Sequence, residues 1–73
     1  MNEEEQILYM QARLSRMASE KWGMSMADVM SIFTKYKVLE YIEDSFEIFH
    51  VQGDEANFED IENYIRTRGA AIC

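Results

Sequence analysis

The sequence has no proline, only three glycines (Gly23, Gly53, Gly69), one cysteine and one histidine. Without proline and with so little glycine there is no room for a flexible linker, and helices joined by short turns are what remains. Cys73 stands alone, so it cannot close an internal disulfide, which fits a reducing compartment. A single histidine, His50, cannot supply the two Glu-x-x-His motifs of a di-metal carboxylate bundle. No apolar run is long enough to span a bilayer, and Met1-Asn2-Glu3-Glu4-Glu5 is the reverse of a basic signal-peptide start. These shortages point to a cytoplasmic protein that does not engage membranes.

The 73 residues make one domain, 1–73, with a formal charge of −7. A chain this short buries only about 60% of its unfolded surface, so its stability is marginal and association would help it. Up to Lys37 the acids Glu3, Glu4, Glu5, Glu20 and Asp28 are matched by Arg13, Arg16, Lys21, Lys35 and Lys37. The whole −7 therefore falls from Val38 onward, where only Arg66 and Arg68 are basic. Such a surface repels phosphate backbones and anionic lipid and draws basic partners.

Hydrophobic spacing predicts an all-α protein, a small three- to four-helix bundle with helices at about residues 4–21, 26–36, 38–49 and 57–68. In the first, Ile7, Met10, Leu14 and Met17 form a stripe, acids begin it, Lys21 lies near its end and Gly23 stops it. In the second, Ser25 caps the free amides, Met26, Val29, Met30 and Phe33 face inward, and the link to the third is tight, leaving open two separate helices or a nearly continuous one kinked near Lys35 to Val38. The third, with Val38, Leu39, Ile42, Phe46 and Phe49 on one face and Tyr41 and Ile48 widening it, is expected at the centre of the bundle. Gly53 suits a positive-φ turn, Asn57 a cap (with Asp54 as its rival), and Gly69 a stop for the last helix.

Few of these residues suggest chemistry. Glu47-Ile48-Phe49-His50 matches a Glu-x-x-His string once, with both residues near the polar edge of their helix, so no metal or cofactor is expected. His50 reads as a partly buried turn residue, and a terminal Cys73 lacks a base or helix dipole to activate it. The expectation is a protein that is not an enzyme. A helix-turn-helix across Ala18 to Ile32 is the rival reading, as a DNA-binding regulator, with Gly23 in the turn. Its recognition helix would offer Met26, Ala27, Asp28, Ser31 and Thr34 with Lys35 as the one cation, too few charges to neutralise phosphates.

The acids Glu40, Glu43, Asp44 and Glu47 cover the polar side of the third helix without a Lys or Arg among them. Glu40 with Asp44 and Glu43 with Glu47 are like-charge pairs at i, i+4, each costing a few tenths of a kcal/mol. We read this face as the binding site for a protein partner with a basic surface. Leu8 and Tyr9 lie off the first helix's stripe, and apolar residues on two sides of one helix suggest a homodimer seam.

Three stretches resemble a known family: Ile7-Leu8-Tyr9-Met10; the Trp22-Gly23-Met24-Ser25 turn; and His50-Val51-Gln52-Gly53-Asp54-Glu55 before Asp60-Ile61-Glu62. They are similar to a group of short, acidic bacterial proteins known only as a domain of unknown function, over about residues 5–69. Members of that group are often encoded beside other uncharacterised proteins, some of them ADP-ribosyltransferase-like. The resemblance therefore implies a small regulator or antitoxin-like partner of a neighbouring gene product, and it brings no defined functional residues with it.

Overall fold

A computed structural model describes residues 2–70, so Cys73 lies outside the described residues. The chain folds as an all-α bundle of five helices: α1 (Glu3–Trp22), α2 (Met26–Lys35), α3 (Val38–Asp44), α4 (Phe46–Phe49) and α5 (Asp54–Arg66). Among the described residues there is no strand, and no helix is long and apolar enough to cross a membrane.

The twenty-residue α1 is the element the others gather on, in place of the 38–49 segment that the spacing put at the centre. Its first free amides are met by Asn2, whose Oδ1 accepts from the Glu5 N–H at 2.8 Å, while Glu3, Glu4 and Glu5 sit at the positive end of the helix dipole. Gly23, at φ 64°, ends it in the left-handed conformation that a side chain would resist. Ile7, Met10, Leu14 and Ala18 are buried against α2, α3 and α5. The stripe is thus covered by the chain itself, and Met17 packs on its flank. A cross-link comes from Gln11, whose Nε2 donates to the Leu39 carbonyl at 2.9 Å.

Ser25 caps α2 as its position predicts, its Oγ accepting from the Asp28 N–H at 3.1 Å. Val29 and Phe33 turn inward, but Met26, expected beside them, is 42% exposed because it occupies the first, solvent-facing turn. At the far end of α1, Trp22 meets Phe33 edge-on at 6.1 Å and Phe58 at 5.5 Å, and its Nε1 donates to Glu62 Oε2 at 2.9 Å. One aromatic cluster therefore locks α1, α2 and α5 together while its polar handle is satisfied. Helices α2 and α3 are separate, and the break falls where a kink is expected: Lys37 sits at φ 55°, a left-handed turn that costs a residue with a Cβ about 1–2 kcal/mol.

The 38–49 segment is not one helix either. Ser45, at φ −97° and ψ 7°, steps out of helical geometry between α3 and α4. Serine competes for backbone groups, and the like-charged carboxylates on either side do nothing to hold the helix straight. The apolar stripe runs on regardless: Val38, Ile42, Phe46 and Phe49 are all buried. Ile48, expected to widen the face, points out and is 61% exposed.

The α4–α5 corner overturns three expectations at once. Gly53 is extended, at φ −76° and ψ 160°, so no positive φ is used there. Helix α5 begins at Asp54, three residues before the start its spacing suggested, and Asn57 is no cap. Asn57 lies inside the helix with 0% exposure, and its Nδ2 donates to the Phe49 carbonyl at 2.8 Å. Its Oδ1 accepts from Gln52 Nε2, also at 2.8 Å, so the buried amide is satisfied on both sides. Outside, Arg13 holds Asp54 (Nε to Oδ2, 3.2 Å) and Lys21 holds Glu55 at 3.2 Å, exposed pairs of small individual worth. At the other end of α5, Tyr64 donates to the Tyr36 carbonyl at 2.9 Å and stacks between Tyr41, at 4.0 Å, and Arg68, at 3.8 Å.

Two outcomes follow from this packing. Asn57→Ala strands the buried Phe49 carbonyl and leaves the half-buried Gln52 amide with Asp60 as its remaining acceptor, which should cost about 2–3 kcal/mol. In a domain of this size that lowers the melting midpoint by about 10 °C or more, readable by circular dichroism, and an unchanged midpoint would show that the amide does not hold the corner. Burial, reinforced by the charge of Asp60, raises the pKa of the Tyr41 phenol above its ordinary value of 10.0 against the opposing hydrogen bond with Ser45. Because the fold favours the neutral phenol, its contribution is intact below about pH 10 and declines as pH rises through the raised value. Melts between about pH 9 and 11 should therefore fall less steeply for Tyr41→Phe than for the wild type.

Candidate functional site

All four predicted binding acids, Glu40, Glu43, Asp44 and Glu47, lie on the surface. The step at Ser45 divides them, leaving Glu40, Glu43 and Asp44 on α3 and Glu47 on α4. Glu43, Asp44 and Glu47 line one hollow of about 230 Å³ together with Ile48 and with Glu3 from the start of α1. Glu40 does not reach it and stands one turn back. Glu43 also lines a second hollow, of about 270 Å³, whose other walls include Glu4, Ile7 and Leu8. The two hollows therefore share a wall and form one edge where α1 begins and α3 ends. Glu3 and Glu4 join this edge although nothing in their spacing from residues 38–49 announces it. Their only signal in the sequence is the acid run itself, which also serves the helix dipole.

Among the described residues, no cation is paired with Glu3, Glu4, Glu40, Glu43, Asp44 or Glu47. The ion pairs that do form use Asp54, Glu55 and Glu62, all on α5. The edge thus keeps its field, set around two exposed apolar side chains, Ile48 and Leu8 (64% exposed). Exposed apolar side chains and carboxylates without a paired cation among the described residues stand side by side on this edge.

The proposed seam residues part company in space. Leu8 belongs to the acidic edge, while Tyr9 lines a groove of about 570 Å³ between α1 and the α4–α5 corner. The floor of that groove is Met10, Phe46 and Phe49, and its rim carries Arg13, Arg16 and His50 together with Asp54, the partner of Arg13. His50 is a surface residue and not partly buried: its ring stacks on Phe46 at 5.1 Å and its Nδ1 is 3.1 Å from the Phe46 carbonyl, which makes Nδ1 the donor. Among the described residues, no three His, Cys, Asp or Glu side chains gather as metal ligands would. The outer face of α2 exposes Ala27, Ser31, Thr34 and Lys35 around a shallow hollow, with Lys35 as its one cation.

No curated protein and no solved structure matches the chain. The family described as "Protein of unknown function (DUF3791)" matches residues 10–68. That span takes in the Trp22 turn, the His50–Glu55 corner and Asp60-Ile61-Glu62, while of the run at 7–10 it includes Met10 alone. The match covers the greater part of the sequence, and the chain belongs to the DUF3791 family of proteins of unknown function.

Proposed function

We propose that this protein is a non-enzymatic binding module of the bacterial cytoplasm, a small regulator or antitoxin-like partner of a neighbouring gene product. Its acidic edge takes a basic, amphipathic segment of another protein. The observation that carries this reading is the meeting of Glu3, Glu43, Asp44, Glu47 and Ile48 in one hollow, beside Leu8, with no paired cation among the described residues. Glu40 extends the field without lining the hollow. Self-association through helix α1, with Leu8 and Tyr9 as its exposed apolar residues, belongs to the same reading. The rival, DNA binding through α2, has a single cation, Lys35, to offer on that helix's outer face.

Full-length protein on beads should retain a basic protein from host lysate at low salt and release it near 1 M salt, where the Debye length falls to about 3 Å. A Glu43→Lys/Glu47→Lys double variant should retain about tenfold less or below. Equal retention by the variant would remove the acidic edge from the reading. Salt-sensitive retention of the protein on double-stranded DNA, lost in Lys35→Glu, would favour the rival.

A further inference from the structure

The groove beside α1 asks for an occupant that the acidic edge does not. One wall is a single helical face, Gln6, Tyr9, Ala12, Arg13 and Arg16, at the i, i+3, i+6, i+7, i+10 positions that line up along a helix. Its floor is apolar, through Met10, Phe46 and Phe49, and Tyr9 stands beside it 55% exposed. Its cations are incompletely used. Arg13 engages Asp54 through Nε and Nη2, and Arg16 is in no ion pair among the described residues. The fitting guest is an apolar anchor with a carboxylate about one helical turn away. A basic partner of the kind that suits the acidic edge would meet Arg13 and Arg16 and be repelled.

Helix α1 carries that combination itself, in Tyr9 with Glu5 one turn before it. Its charges are also segregated: Glu3, Glu4 and Glu5 at the start, and Arg13 and Arg16 beyond Tyr9. We propose that the groove seats α1 of a second copy of this chain, docked antiparallel about a twofold axis at Tyr9. In that register Glu5 of each copy faces Arg13 of the other, and Asn2 faces Arg16. Each Tyr9 leans over the other copy's Met10, Phe46 and Phe49. Parallel pairing sets like charges on like and leaves the groove cations unanswered. Ala12 keeps the face low near the axis, so the two helices can approach closely. The arrangement is isologous and closes on itself, which makes dimers and no filament. It rests on the self-association part of the proposed function and adds its geometry. The face is small for an interface, so the dimer is of the weak class, with dissociation in the range of about 10 µM to 1 mM.

Sedimentation of the full chain from about 10 µM to 1 mM should pass from monomer to dimer. Tyr9→Asp should weaken the dimer at least tenfold while retaining helical circular dichroism, and Leu8→Asp should change it less than about threefold. Geometry is read by cross-linking in a Cys73→Ser background. The register places residue 2 of one copy opposite residue 16 of the other, both near the centre line of the contact and within disulfide reach, whereas each of these is displaced from its own symmetry mate by about 21 Å along the axis. A mixture of the Asn2→Cys and Arg16→Cys proteins should therefore cross-link well ahead of either protein alone. Monomers throughout, at about 1 mM, would overturn both this seat and the self-association reading. A dimer that survives Tyr9→Asp, or that cross-links as fast unmixed as mixed, would overturn this seat while leaving self-association in place.

Discussion

The buried amide of Asn57 is the contact on which both surfaces depend. Helix α4 is only four residues long and cannot be stable on its own hydrogen bonds. What holds it is burial of Phe46 and Phe49 together with the Asn57 Nδ2 donation to the carbonyl of Phe49, the last residue of that helix. Gln52 closes the loop from the other side by donating to Asn57 Oδ1. With those groups paired, α4 stands as a fixed ridge. Glu47 and Ile48 face one hollow, Phe49 and His50 face the groove, and Phe46 lines both. The protein's two candidate binding surfaces are the two flanks of a single turn.

The fold class and most of the core were legible in the sequence because a helix stripe needs only spacing. Ile7, Met10 and Leu14, then Val29 and Phe33, then Phe58, Ile61 and Ile65, are buried where the period puts them. The errors share a cause. Asn57 reads as a cap because asparagine is favoured there, yet capping and burial are both ways of satisfying one amide, and only the fold decides between them. The step at Ser45 is invisible because the apolar period continues across it, and a period records which residues are covered, not whether the backbone between them stays helical. Met26 and Ile48 are apolar residues at rims, where periodicity has no means of telling a core position from an exposed one.

Charge was legible by halves and misleading by residue. The first half sums to zero and the second carries the entire −7, so the acidic surface was expected from the second half alone. In space the first half splits. Glu3 and Glu4 join the acidic edge, while Arg13 and Arg16 stand at the groove, on the other flank of α4. A neutral segment thus feeds two oppositely charged surfaces because α1 is long enough to reach both. Asp54 and Glu55, for their part, spend their charge against Arg13 and Lys21, so the acids of α5 add less to the edge than their number suggests.

This separation gives the two flanks different physical controls. At physiological ionic strength the Debye length is about 8 Å, short enough that an exposed carboxylate acts on what touches its own surface and little beyond. In the proposed binding role the acidic edge would answer to ionic strength and to a partner's charge, its carboxylates acting mainly on the rate of encounter. In the proposed dimer the groove would answer to concentration, its gain coming mainly from covering Tyr9, since Met10, Phe46 and Phe49 are already buried. Helix α1 borders both, with Leu8 and Tyr9 as adjacent residues serving different neighbours. Of the exposed large apolar residues, Leu8 and Ile48 stand at the acidic edge and Tyr9 at the groove, while Met26 and Val51 stand at neither. Charge and apolar exposure therefore coincide only along the start of α1 and the flanks of α4.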